Sequence, residues 1–329
     1  MTAVYSDGTE TLLKPEDYTI TPETAPETAG AFEVQIRWKG LGAAVEQTAA
    51  GTTEITRADV KSGVIDAETG ESVVLNTGDV QIPEMVLRDG IPYVVTGIGA
   101  NAFYNQWSLT DVTFPDSITS IGNSAFLDTG LEGELRLPEG LTSIGNSAFY
   151  NCRNLRGELR LPKGLMSIGA SAFYDCRKLT GDLEIPEGLT SIESSAFYNC
   201  YGLDGELRLP EGLTSIGSSA FYNCYRLDGE LRLPEGLTSI GAMVFYNCSG
   251  LTGDLTIPEG VTSIGNNAFI GCSGLTGDLT IPESVTSIGN NAFINCSGLD
   301  SITILGKSEG GISGSPWGYS GSVRWEPNP

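Results

Sequence analysis

Seven cysteines, Cys152, Cys176, Cys200, Cys224, Cys248, Cys272 and Cys296, follow one another every 24 residues and are all the cysteines of the chain. A thiol serves chemistry as a nucleophile, a disulfide partner or a zinc ligand, and each role needs a companion. A thiol nucleophile usually takes its base from histidine, which is also the commonest zinc ligand, and the chain has no histidine. Zinc sites draw on close-set pairs such as C-x2-C, which are absent here. Stacked equivalents at a fixed period point the same way, and seven thiols cannot pair completely, which opposes a disulfide framework. Upstream, Gln106 and Thr129 hold the equivalent place. The cysteines therefore read as a buried packing file, with a weak S–H bond to a loop carbonyl, in preference to a metal site or disulfides. Carboxylate pairs support glycosidase chemistry only when two stand in one cleft at a set separation, and nothing marks such a pair. No catalytic residue, metal or cofactor is assigned, and the chain is not expected to be an enzyme.

The other charges narrow the partners. Lys and Arg total 18 against 41 Asp and Glu, a net charge of −23 that repels nucleic acid and anionic lipid surfaces. No apolar run approaches the ~18 residues of a membrane span, and no basic start precedes an apolar stretch. Membrane insertion and a signal peptide are thus not expected within these residues.

The elements that position the cysteines repeat with them. Phe149, Phe173, Phe197, Phe221, Phe245, Phe269 and Phe293 keep the same spacing, and Phe126 and Phe103 extend the column upstream in steps of 23, so nine units are visible. One unit, from Leu203, reads LDGELRLPEGLTSIGSSAFYNCYR. Alternation in GELRLP places Leu207 and Leu209 on one face of a short strand, with Glu206 and Arg208 on the other, and Pro210 ends its ladder. GLTSIG reads as a second extended piece with Leu213 and Ile216 inward and glycines at the corners. SAFYNC, too short for a full helix, suits a single helical or 3-10 turn that drives Phe221 into the core. The burial of about six side chains contributes on the order of 10 kcal/mol, less than the ~1 to 2 kcal/mol per residue needed to order one coil, so single coils are unfolded. Stacked coils share a core and pair strands in parallel, giving a repeat solenoid about 45 Å long. Glu193 stands where the units from Ile121 onward have glycine. Either that glycine is not needed for a positive φ, or this unit is strained.

These units resemble the BspA-type leucine-rich repeats of bacterial surface proteins, whose IPxxVTSIG and AFxxCxxL patterns are matched by TIPEGVTSIGNNAFIGCSGLT from Thr256. The resemblance covers about Val86 to Ile304 and implies a β-rich leucine-rich repeat solenoid, parallel strands joined by short helical turns. It also implies export, residence on or release from a bacterial surface, and adhesion to host proteins or other cells. Most units depart from the family by one extra residue in the LxGEL segment.

Outside the repeats, Ala3 to Gly40 shows short alternating strands and a DG turn. YSDGT, a YTI strand and the AG…W-x-G ending are similar to the later strands of a bacterial Ig-like module, the alternative being a plain β-hairpin linker. The division is accordingly 1–48, a partial Ig-like β segment; 49–85, linker and N-terminal cap; 86–304, the solenoid; and 305–329, a C-terminal cap closed by Trp317, Tyr319 and Trp325. Exposed solenoid ends are strand-edge liabilities, hence the caps.

A function has to sit on the outward columns. Glu134, Glu158, Asp182, Glu206, Glu230, Asp254 and Asp278 form an acidic file, accompanied two residues on by Arg136, Arg160, Arg208 and Arg232 and interrupted by Glu184. The files either neutralise each other across strands, at ~0 to 1 kcal/mol per pair, or form a patterned binding face. A second acidic file, Glu139, Glu187, Glu211, Glu235, Glu259 and Glu283, has Lys163 as its exception; its single carboxylates lack the clustered oxygens calcium requires. Tyr150, Tyr174, Tyr198, Tyr222 and Tyr246 follow the buried phenylalanines, and Tyr201 and Tyr225 add to the two central units. Tyrosine gives large contact area at low entropic cost, so these rings serve either an interface or packing between coils. The candidate partner-binding face is Tyr174, Tyr198, Tyr201, Tyr222, Tyr225 and Tyr246 with Arg208, Arg232 and Glu184. Two functions compete: an exported binding or adhesion protein for an extracellular protein or glycan, and a passive spacer of a cell-surface protein. A monomer is expected.

Overall fold

The computed structural model describes residues 51–328 apart from Glu68, Gly70, Glu71 and Gly90, and, before them, the backbone of five strands. Those strands are Thr2–Val4 paired antiparallel with Glu10–Leu12, and the antiparallel sheet of Tyr18–Thr21, Phe32–Trp38 and Ala44–Ala49. Of the residues that carry the Ig-like resemblance, the YTI strand and the strand that ends at Trp38 fall in this sheet, whereas YSDGT and Ala29-Gly30 lie outside the described residues.

From Thr52 the chain winds into a β-solenoid of about 10 turns with almost no helix. The TSI segments form one parallel column, in which Ile98, Ile121, Ile144 and Ile168 are in register, as are Ile192, Ile216, Ile240, Ile264 and Ile288. The GELRL column is fragmentary, often a single bridge such as Glu134 with Arg156. Its extra residue explains this: Gly157, Gly181, Gly229, Gly253 and Gly277 take φ of 74 to 85°, and the ladder shifts register between Gly277 and Asp278, as a bulge does.

The SAFYNC corner is not the helical or 3-10 turn expected from its length. Ser147 and Asn151 take φ of 54 and 60°, and Ala148, Tyr150 and Cys152 donate backbone N–H bonds to the carbonyls three residues back. These are successive β-turns with left-handed residues at the third position of the first and last, the type II signature. The N–H groups between them point along the solenoid: Ser147, Phe149 and Asn151 donate to the carbonyls of Ala170, Ala172 and Tyr174 in the following coil, each at 2.8 Å. Every corner repeats this direction. The corner is thus a ladder, which keeps its polar backbone satisfied while Phe stacks on Phe, ring centroids 4.9 to 5.7 Å apart from Phe103 to Phe293.

Where serine or asparagine usually holds the left-handed position, one coil has Met243, at φ 55°. A long side chain there costs about 1 kcal/mol relative to asparagine. Met243→Asn is expected to stabilise the chain by that amount in urea denaturation, and a loss of stability would refute the strain.

The solenoid begins one coil before the repeat pattern. Thr52–Ile55 pairs in parallel with Ile91–Ile98, and Gly78–Gln81 with Leu109–Thr113, so residues 52–82 extend both columns upstream. In this coil the helix Arg57–Ser62 replaces the corner, and Val60 fills the place of phenylalanine, fully buried. Thr56 and Asp59 form a capping box, and Asp59 also takes a two-pronged bond from Arg88. Arg57 donates to the carbonyls of Asn101 and Tyr104, at 3.0 and 3.1 Å. At the far end Ser322–Glu326 pairs in parallel with Leu299–Leu305, and Trp317 continues the phenylalanine file, accepting the N–H of Phe293. Trp317 and Tyr319 are buried, Trp325 half-buried.

Glycine in the TSIG corner serves close approach, not a positive φ: none of Gly145, Gly217 and Gly265 lies in the left-handed region, yet a Cβ on Gly145 would stand 2.6 Å from the Asn123 nitrogen. In the coil that carries Glu193 the TSI column breaks. Met166 N–H bonds to Thr142 O, Gly169 N–H to Ile144 O, Thr214 N–H to Thr190 O and Gly217 N–H to Ile192 O, but among the described residues no such bonds join Thr190 to Met166 or Glu193 to Ile168, nor Thr238 to Thr214 or Gly241 to Ile216, although Ile240 still pairs with Ile216. The column accordingly splits into two sheets at the Glu193 coil. The corner ladder runs on unbroken, with Phe173 N–H on Ala196 O at 2.8 Å.

Candidate functional site

All seven cysteines are buried, and each thiol donates to the carbonyl of the phenylalanine one coil back, at 3.0 to 3.1 Å. Burial pushes the Cys152, Cys224 and Cys296 thiols up to about 12 and the other four well above the usual thiol value. The file is therefore structural: its hydrogens close the joint between coils, and its sulfurs are neither ionised nor reachable.

The tyrosines sort into two groups. Tyr150, Tyr174, Tyr198, Tyr222 and Tyr246 stack in one half-buried file with centroids 4.4 to 4.5 Å apart. Burial raises the phenols of Tyr174 and Tyr198 and pushes that of Tyr222 up to about 12. Three residues further on, Tyr201 and Tyr225 stack at 5.6 Å, and Tyr225 is exposed.

Arg208 and Arg232 lie on the strand side, held 2.7 Å from Glu206 and Glu230 of their own coils, with Asp182 also 3.5 Å from Arg208. Glu184 and Arg208 line one shallow depression of about 340 Å³ with Lys163, Glu187 and the rims of two coils. Among the described contacts none joins these strand charges to the tyrosines, so the predicted residues occupy two surfaces and not one.

What the residue types alone did not reveal is the charge cluster beside Tyr201. The residue after each cysteine position forms a column of Trp107, Gly130, Arg153, Arg177, Tyr201, Tyr225, Ser249, Ser273 and Ser297. Asp175 replaces the asparagine of neighbouring corners and is buried; its Oδ2 lies 3.3 Å from Arg153 and 2.8 Å from Arg177, and its Oδ1 accepts from Asn199 at 2.8 Å. From Asn199 an amide ladder continues to Asn223 and Asn247 at 3.0 and 3.1 Å. Arg177 lies over the Tyr201 ring, 5.9 Å from its centroid. The signal in the sequence is the Asn-to-Asp change at 175, which unlike the one at Asp128 coincides with arginines at the two successive column positions Arg153 and Arg177.

The repeats match the family model described as BspA type leucine rich repeat region, in six copies over residues 96–228 and 204–310. Among curated proteins none matches. Similar solved structures include a leucine rich cell surface protein from Faecalibacterium prausnitzii, 24% identical over 72% of this chain and 92% of that one, TM-score 0.39. The leucine rich repeat protein of T. pallidum is 27% identical over 69% and 80%, TM-score 0.38. The pneumococcal vaccine antigen PcpA is 17% identical over 94% and 99%, TM-score 0.41. With the matched repeats spanning well over half of its 329 residues, the chain belongs to the BspA type leucine rich repeat family.

Proposed function

We propose that the chain is an exported binding protein of a bacterial surface, holding an extracellular protein or glycan on the corner column that carries Tyr201 and Tyr225, with the partial Ig-like segment as a neighbouring module. The observation that supports this is local variety on an otherwise uniform array. The column is occupied by Arg153, Arg177, Tyr201 and Tyr225 in four successive coils and by serine in the three that follow, while the phenylalanine file beneath does not change. Interface energy concentrates in a few central residues rich in Tyr and Arg. The rival reading, a passive spacer, draws on the uniform coils from Ser249 to Ser297.

The test is the pair Tyr201→Ser and Tyr225→Ser, measured against a panel of immobilised extracellular proteins and glycans. Folding is expected to persist, since neither ring belongs to the phenylalanine file, and binding is expected to weaken by roughly 1 to 4 kcal/mol. Unchanged affinity for a verified partner would move the site elsewhere, and binding to no member of the panel would favour the spacer.

A further inference from the structure

We infer that the corner ridge of Arg153, Arg156, Arg177 and Lys178, with Tyr201 and Tyr225 stacked beside it, takes an acidic polysaccharide, a chain of sugars bearing carboxylate or sulfate groups. The inference rests on the proposed binding role of this column and names its ligand class. Six of the 18 Lys and Arg of a chain with net charge −23 fall between Arg153 and Lys178. Four of these six stand where the corner runs into the strand column, Arg153 and Arg177 beside the cysteines and Arg156 and Lys178 opening the paired strands Arg156–Glu158 and Lys178–Thr180.

The one carboxylate among them, Asp175, is buried and already engaged by Arg153, Arg177 and Asn199. It fixes two guanidiniums with a single charge, which leaves their outward N–H groups an excess of positive charge in a set geometry. Lys178 donates to Asn154 at 2.8 Å, and Arg156 enters no ion pair among the described residues. The Arg177 Nε is buried with no acceptor. A protein otherwise hostile to anions thus presents one place that attracts them.

The second component is the stack. Arg177 covers one face of Tyr201, Tyr225 covers the other, and the column then drops to Ser249 and Gly250. The outer face of Tyr225 is left as a step on which the C–H face of a sugar ring can rest, within reach of the cations of the preceding coils. An acidic peptide fits less well. A peptide bound by its main chain needs free backbone partners, and the corner N–H groups of Ser147, Phe149, Asn151, Ser171, Phe173 and Asp175 are all spent on the next coil. What the ridge offers is charged forks and a ring face.

The experiment measures binding of the full chain to immobilised polygalacturonate and to heparin, with neutral dextran and poly-glutamate as comparisons, at low and at physiological salt. Binding to one or both acidic polysaccharides, weakened by salt and well above dextran and poly-glutamate, is expected. Arg156→Gln with Lys178→Gln, both exposed and outside the core, is expected to cut that affinity about tenfold, as is Tyr225→Ser, with unchanged circular dichroism. Arg160→Gln on the strand side is expected to leave it intact. Carboxylate selectivity would show as preference for polygalacturonate, sulfate selectivity as preference for heparin. Poly-glutamate binding equally well, variants binding like the parent, or no polysaccharide binding would each overturn the inference. A protein partner lost on Tyr201 and Tyr225 replacement would leave the general binding role standing while this ligand class fell.

Discussion

Raising the pH from about 8 to about 10.5 is expected to unfold the solenoid, because its seven thiols are folded only in the neutral form. Burial pushes Cys152, Cys224 and Cys296 up to about 12, and Cys176, Cys200, Cys248 and Cys272 shift the same way. A raised native pKa means that the unfolded chain, with thiols near 8.5 to 9, releases protons first. The stabilisation is therefore complete below about pH 8.5 and is lost as the pH climbs toward the native values. At pH 10 each of the three thiols held at about 12 favours unfolding by about 1 to 2 kcal/mol, roughly 3 to 6 kcal/mol together, and the other four act in the same direction, against a typical domain stability of about 5 to 15 kcal/mol. The raised phenols of Tyr174, Tyr198 and Tyr222 act in the same direction. Circular dichroism along an alkaline titration reads the midpoint. Threonine is the informative replacement, since Thr129 occupies the equivalent place, buried and with no ionisable group, its hydroxyl donating to Phe126 O of its own coil at 3.0 Å. Cys→Thr changes at Cys200, Cys224 and Cys248 are expected to move the midpoint upward, and a parent chain still folded at pH 11 would defeat the account.

The second large effect concerns Glu193. Glu193→Gly is expected to close the break in the TSI column. Two inter-coil hydrogen bonds return at ~1 kcal/mol each, offset by ~0.5 to 1 kcal/mol for the freedom of glycine in the unfolded chain. The net gain of about 1 kcal/mol is local, so its measure is hydrogen exchange: in the variant the amides of Thr190 and of the new glycine become protected, as their counterparts Thr214 and Gly217 are in the parent. The converse change is more severe. Gly217→Glu places a Cβ 2.5 Å from the Ser194 nitrogen and is expected to open the next joint as well, at a cost of about 2 to 3 kcal/mol. Parent-like exchange and stability in both variants would mean that the missing bonds have another cause, shared with the joint at Thr238 and Gly241, which lacks them with glycine in place.

The sequence carries the fold where it repeats and hides it where it does not. Two files of identical residues, Phe and Cys, give the coil period directly, because in a stacked array the equivalent core positions meet. The first coil escapes the same reading, since Ile55, Val60, Leu75 and Val80 fill the core without its consensus. The corner misled for another reason: six residues with one buried phenylalanine fit a helical turn equally well, and the left-handed Ser and Asn that decide the matter are set by contacts to the next coil. The glycine before it was legible as a requirement but not as a distance. Within the site, the aromatic and charged columns could be read off by superposing units. The pairing of Arg153 and Arg177 through Asp175 could not, because it joins non-equivalent positions of neighbouring coils.

The one-way corner ladder gives the solenoid electrical polarity. At each corner from Phe103 to Phe269 three peptide N–H groups face the C-terminal coils and the carbonyls they meet face back, so their dipoles add along the axis as they do in a helix, but with the positive pole at the C-terminal end. Arg57, donating to the carbonyls of Asn101 and Tyr104, places a positive charge on the negative pole. A rod polarised in this way has distinguishable ends even where its coils are identical, and its charged neighbours at either end are sorted by sign before any side chain is read.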